Sequence, residues 1–202
     1  MSSRHEVKFV VGIDPGSGAS SNTGIAIIIP QTKEILLLDE LRPTSKYDNT
    51  DSRIYTIAQQ YKDALESLSE VNYNEVLVVY EHFVMKGKGG EILNRMIGGF
   101  LGHTKYETYH VSNLRVKAAI SGTGAADKKL VAEGLLHHFR DNAAAVDLIA
   151  EAIKNERFDQ TDALAIALAG YWEYGSNFYY QTKKESKNEG PKRRRNRRKT
   201  NE

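Results

Sequence analysis

Two apolar runs of strand length end in a carboxylate. Phe9-Val10-Val11-Gly12-Ile13 closes on Asp14, and Glu75-Val76-Leu77-Val78-Val79-Tyr80 closes on Glu81. Pro15 has no backbone N–H and stops the first run, which places Asp14 at the C-terminal end of a buried strand, at the mouth of a sheet. Ligands of open α/β sheets bind at such strand ends. Two further acids, Asp159 and Asp162, open an alanine-rich helix, and their three-residue spacing turns both to one face. Taken singly, each feature has a plain structural explanation. Asp-Pro-Gly makes a turn, and acids suit a helix N-terminus because of its dipole. Taken jointly, converging carboxylates without basic partners repel one another and drive a pKa upward unless a cation neutralises them. An all-oxygen donor set selects hard divalent ions, Mg²⁺ or Mn²⁺. Two such ions about 4 Å apart activate a water and stabilise the leaving oxygen in phosphodiester hydrolysis. The chain has no cysteine and no H-E-x-x-H motif, which argues against zinc chemistry.

The elements that must carry these acids follow from periodicity and punctuation. Gly16, Gly18 and the small residues around them predict a tight loop, after which Thr23–Ile29 returns as an antiparallel strand. A turn at 30–33 and a third strand over 34–40 complete a meander. Thr50 or Asp51 caps a helix to about residue 69, with Ile54, Ile57, Ala58, Tyr61, Leu65 and Leu68 at helical spacing. The strand over 75–81 is apolar on consecutive positions, as in a parallel strand covered on both faces. The helix predicted over 91–104 holds Gly98, Gly99 and Gly102. Each glycine costs roughly 1 kcal/mol against alanine, so a close approach is expected there, by a neighbouring helix or by a second subunit. A strand at Glu107–Val111, a helical turn at 114–120, a helix at 128–139 capped by Asp127, and helices at 143–155 and 160–174 finish the chain, with Asp159 as N-cap of the last. The order predicts an α/β fold: a mixed five-stranded sheet, three antiparallel strands plus two parallel ones, flanked by helices.

Charge divides the chain. The net +2 conceals ten of the 28 Lys/Arg in residues 183–202 against three acids there, a tail of +7 beside a body, 1–182, of −5. A block of like charge with Gly and Pro and nothing apolar predicts a disordered basic tail, 183–202, suited to nucleic acid through Arg193, Arg194, Arg195 and their neighbours. The body, 1–182, is long enough for one domain with a sizeable core. No apolar run approaches the ~20 residues of a membrane span, and the polar N-terminus is unlike a secretory signal, so a soluble, intracellular protein without membrane contact is expected, in the cytoplasm, with a nuclear or organellar place as the alternative.

Four blocks then stand in order: G-I-D-P-G; T-G-I-A followed by the strand ending in Glu81; V-K-A-A-I-S-G-T-G-A-A-D-K-K-L-V; and D-Q-T-D-A-L-A-I-A. Spanning residues 10–169, they resemble the RuvC family of Holliday-junction resolvases, within the RNase H-like superfamily. The resemblance implies that Asp14, Glu81, Asp159 and Asp162 are metal-binding catalytic carboxylates holding two Mg²⁺ ions, with Mn²⁺ as a substitute. It implies that Lys117 and Lys128, eleven residues apart, serve at the DNA. It implies a homodimer that grips a four-way junction and makes paired symmetric nicks, with the glycine-bearing helix at or near the dimer interface. The family's base-stacking aromatic stands three residues after the strand-end Glu, a position held here by Val84; a one-residue register shift would let Phe83 serve instead. The connection 140–158 is longer than is usual in the family and adds a helix, and the basic tail is an extension that points to a phage, viral or organellar member.

Other readings stay beside this one. The loop at 86–90, with Lys86 and Lys88, follows the second carboxylate strand and suits phosphate contact. His82 faces away from Glu81 and is expected to pack; His137 and His138 are expected on the surface, and Tyr171, Trp172 and Tyr174 in packing. A broader branched-DNA endonuclease and a non-catalytic junction-binding accessory are alternatives. An actin-like nucleotide-binding fold needs a second similar domain, for which 202 residues without a repeat leave no room.

Overall fold

The apolar run at the start of the chain forms the middle of a five-stranded sheet. In the computed structural model, which describes residues 6–16, 22–43, 50–81 and 88–188, β1 (Phe9–Asp14) pairs antiparallel with β2 (Thr23–Ile29) and parallel with β4 (Val76–Glu81). β2 pairs antiparallel with β3 (Glu34–Leu41), and β4 pairs parallel with β5 (Glu107–Val111), giving the order β3-β2-β1-β4-β5. This is the expected mixed sheet. Val10, Val11, Ile25, Ala26, Leu77 and Val78 are fully buried because helices cover both faces of the inner strands. β3 lies at the edge, and a register shift between Ile27 and Ile28 leaves Leu36 unpaired and exposed.

Side-chain alternation splits the core in two. Val11, Ile13, Ile25, Ile27, Val76 and Val78 face α1 (Thr50–Glu66) and α2 (Lys88–His103). There Tyr61 packs on Phe100 at 5.1 Å between ring centroids. Val10, Ala26, Ile28, Leu77 and Val79 face the opposite layer. That layer is built from α3 (Asn113–Ser121), α4 (Lys128–His138), α5 (Ala143–Lys154) and α6 (Phe158–Asn188). Asp14 and Glu81 occupy the next positions of this second register, so both side chains belong to the face that α6 covers.

α6 is seated by glycines. A Cβ on Gly12 would stand 2.1 Å from the Ala163 carbonyl oxygen, and one on Gly24 would stand 1.8 Å from that of Asp159. Only glycine at these two strand positions lets the helix backbone rest directly on β1 and β2. The three α2 glycines differ in what they face within the single chain. A Cβ on Gly99 would meet Ala58 Cβ of α1 at 3.4 Å, whereas one on Gly98 or Gly102 would have nothing within 4 Å among the described residues. Periodicity locates glycines on a helix without telling which of them face a neighbour.

Helix ends move as well. α6 begins at Phe158, so Asp159 lies inside the first turn and is not the N-cap, and the helix continues to Asn188, past the expected end at 174 and into the first residues of the tail. Residues 189–202 lie outside the described residues. The additional helix α5 packs on α4 and α6 through Ala145, Ile149 and Ala152. Asn142 ties it to the β2–β3 turn, its Oδ1 accepting from the Ala145 N–H and its Nδ2 donating to the Lys33 carbonyl. His138 is half-buried, with Nε2 3.1 Å from the Ile120 carbonyl oxygen and its ring 5.0 Å from that of Trp172, so it packs where a surface position was expected. His137 is exposed, as expected. No helix among the described residues is long and apolar enough to cross a membrane.

Candidate active site

The C-terminal ends of β1 and β4 lie side by side, because Ile13 pairs with Tyr80 one residue before the two acids. The first turn of α6, held down on Gly24, brings Asp159 and Asp162 across the mouth of the same strands. As a result one oxygen each of Asp14, Asp159 and Asp162 lies within 4.8 Å of the others. Glu81, 5% exposed, stands beside this triad and senses the charge of Asp162, without joining the tight set. The four acids predicted from separate stretches of sequence are therefore at one end of one sheet.

The electrostatics record the crowding. Asp14 is pushed up to about 8, first by burial and then by the negative charges of Asp162 and Glu81, with Lys128 opposing. Burial also raises Glu81, against a hydrogen bond from the Asn113 side chain at the start of α3 and the positive charges of Lys117 and Lys128. Asp162 is raised by burial too, although Lys128 pulls the other way. Such a cluster fits a hard cation: three carboxylate oxygens converge in a poorly solvated place, and neutralising their charge removes the penalty that keeps Asp14 protonated.

The two predicted lysines reach the site in different ways. Lys117, on α3, lies close enough to lower the pKa of both Glu81 and Asp162. Lys128, the first residue of α4, sits among the acids themselves, with Nζ 3.0 Å from Asp159 Oδ1 and 3.0 Å from Asp162 Oδ2. Burial alone favours the neutral amine, but the charges and hydrogen bonds of Asp162 and Asp159 outweigh it and raise its pKa. The resemblance points this residue to DNA; the structure also sets it on the acids. Phe83, Lys86, Arg193, Arg194 and Arg195, along with His82, lie outside the described residues, and of Lys88 only the backbone, at the start of α2, is described. Three contributors escaped the sequence reading. Asn113 carries no signal beyond its position after a strand, whereas Gly12 and Gly24 stand out as glycines in otherwise apolar strands, a pattern that marks close backbone approach.

No family model matches the chain. It is 29% identical over 171 residues to the crossover junction endodeoxyribonuclease RuvC of Prochlorococcus marinus (strain MIT 9312), covering 83% of this chain and 99% of that protein. Among solved structures, Thermus thermophilus RuvC in complex with Holliday junction substrate is similar with a TM-score of 0.56 and 18% identity, over 80% of this chain and 90% of that one. A second T. thermophilus RuvC structure gives a TM-score of 0.56 at 20% identity, over 80% and 91%. At these identities the two structures speak to the fold, which is RNase H-like.

Proposed function

We propose, from the 29% identity to a RuvC endonuclease over 83% of the chain and the fold shared with T. thermophilus RuvC, that the chain is a member of the RuvC family and a structure-selective DNA endonuclease that resolves four-way (Holliday) junctions by paired symmetric nicks. The observation that carries this reading is the convergence of Asp14, Asp159 and Asp162 within 4.8 Å at the strand ends, beside Glu81. Those four carboxylates would hold the divalent metal, two Mg²⁺ ions with Mn²⁺ as a substitute. Bound there, the ions supply Lewis-acid activation of water and charge stabilisation at the leaving 3′-oxygen. The chain's own residues prepare the place. Burial of Asp14 and Glu81 keeps bulk water from screening the site. Asn113 fixes the Glu81 carboxylate by its hydrogen bond. Lys117 and Lys128 set positive charge where a scissile phosphate must approach.

A homodimer would present two such sites to the two halves of a junction. The α2 face bearing Gly98 and Gly102, open to 4 Å in the single chain, is available for the second copy. Phe83 would stack on an unpaired junction base, while Lys86, Lys88, Arg193, Arg194 and Arg195 would follow the phosphates, in the cytoplasm where the branched DNA is formed.

The test is a nicking assay on labelled four-way junction, Y-fork and linear duplex DNA, with Mg²⁺ and with chelator. The expected result is metal-dependent cleavage of the junction ahead of the fork, with the duplex spared. Asp14→Asn is expected to abolish nicking while gel-shift binding to the junction persists. Equal cleavage of all three DNAs refutes the structural selectivity, and undiminished cleavage by the variant refutes the metal assignment.

A further inference from the structure

Among the described residues, Lys128 is the one cation in contact with the acidic cluster. Its ammonium touches Asp159 Oδ1 and Asp162 Oδ2 at 3.0 Å each, and these two residues supply two of the three carboxylates gathered within 4.8 Å. An ammonium at hydrogen-bond distance from both acids competes with a divalent cation for their negative charge. A Mg²⁺ ion draws its oxygens to about 2.0–2.1 Å and demands their lone pairs in fixed directions. Carboxylates that accept hydrogen bonds from Lys128 are held away from that geometry, and two cations a few ångströms apart repel strongly in a poorly solvated site.

The side chain is also built to leave. It is 53% exposed on its solvent side and hangs from the first residue of α4, whose backbone is fixed independently by the Asp127 cap accepting from the Leu130 N–H. A lysine stem of four methylenes can therefore swing without disturbing the helix. Lys117, the other lysine near the cluster, makes no ion pair there among the described residues.

We propose that Lys128 is the resident counter-ion of the metal-free site, and that divalent metal binds by displacing its ammonium from Asp159 and Asp162, freeing it for the substrate phosphate. The inference rests on the reading that these acids hold metal, and it adds an order of events. The carboxylates pass from ammonium to metal, and the ammonium passes from carboxylate to phosphate. No bond is made or broken in the exchange.

The test uses the full chain without DNA. Lysines are acetylated with an N-hydroxysuccinimide ester at limiting reagent, with Mg²⁺ or with chelator, and the label at Lys128 is quantified against exposed Lys129 by peptide mass spectrometry. The expected result is a rise at Lys128 of about threefold or more on Mg²⁺ saturation, as the freed amine leaves its ion pairs, with Lys129 unchanged. In Asp14→Asn, which keeps both Lys128 partners, the rise is expected to vanish. A second measurement titrates Mn²⁺ by its free-ion paramagnetic resonance signal. If the paired form occupies about nine-tenths of the metal-free population, Lys128→Met tightens binding about tenfold, since the competent fraction becomes one.

Unchanged label at Lys128 under saturating Mg²⁺, or a rise that persists in Asp14→Asn, overturns the displacement. A wild-type chain that binds Mn²⁺ and nicks junctions yet shows unchanged label loses only this inference. A chain that binds no Mn²⁺ loses the inference and the metal reading together.

Discussion

Replacing Gly24 with alanine inserts one methyl group between β2 and the first turn of α6. The new Cβ would lie 1.8 Å from the Asp159 carbonyl oxygen and 3.1 Å from Ala163 Cβ, against an ordinary contact of 3.4 Å or more. The obstacle is backbone on both sides, so no rotamer change relieves it, and α6 must retreat by about 1.6 Å at its N-terminus. Asp159 and Asp162 move with it, opening the cluster that now fits within 4.8 Å. A displacement of about 1 Å at a catalytic centre costs on the order of 10²-fold in rate. Overpacking itself costs about 1–3 kcal/mol, more than the roughly 0.5–1 kcal/mol that alanine returns by stiffening a strand. The assay is single-turnover nicking of a labelled four-way junction in Mg²⁺, at a temperature where circular dichroism shows the variant folded. The expected outcome is a rate reduced about a hundredfold with a lowered Tm. A wild-type rate at an unchanged Tm would refute the reasoning, because α6 could not then rest on the β2 backbone as described.

Three further outcomes follow from the site and from α5. Asp14, raised to about 8 in the metal-free protein, must shed its proton to serve as a ligand. Metal binding at pH 7 is therefore expected to release nearly one proton per site, falling toward none above pH 9, as read by titration calorimetry in buffers of different ionisation enthalpy. Because the folded pKa lies above the unfolded value of about 4, the metal-free chain is expected to lose stability as pH climbs from about 4 to about 8, a loss that Mg²⁺ removes. Release of no protons at pH 7 would show that Asp14 is already ionised. Asn142→Ala removes both the cap of α5 and its bond to the Lys33 carbonyl. Thermal melts should show a loss of about 1–2 kcal/mol, at about 2–4 °C per kcal/mol, with the junction-nicking rate unaffected. An unchanged Tm would mean that α5 is not anchored there.

The sequence by itself determined the strands, their order and the acids at their ends. Apolar runs, a proline stop and a three-residue spacing are local signals, and each of Asp14, Glu81, Asp159 and Asp162 stood at a legible boundary. Only the tertiary structure decided what meets what. Lys128 and Asp159 are 31 residues apart, and no local pattern announces that their side chains touch. The three α2 glycines looked alike in sequence, yet just one of them meets α1. Gly12 and Gly24 mark a close backbone approach in their strands, but what approaches is named only when α6 is laid across the sheet. A strand's composition follows from its own covering, whereas the position of a catalytic carboxylate follows from how closely two backbones can approach, and that distance is fixed only when the helix packs.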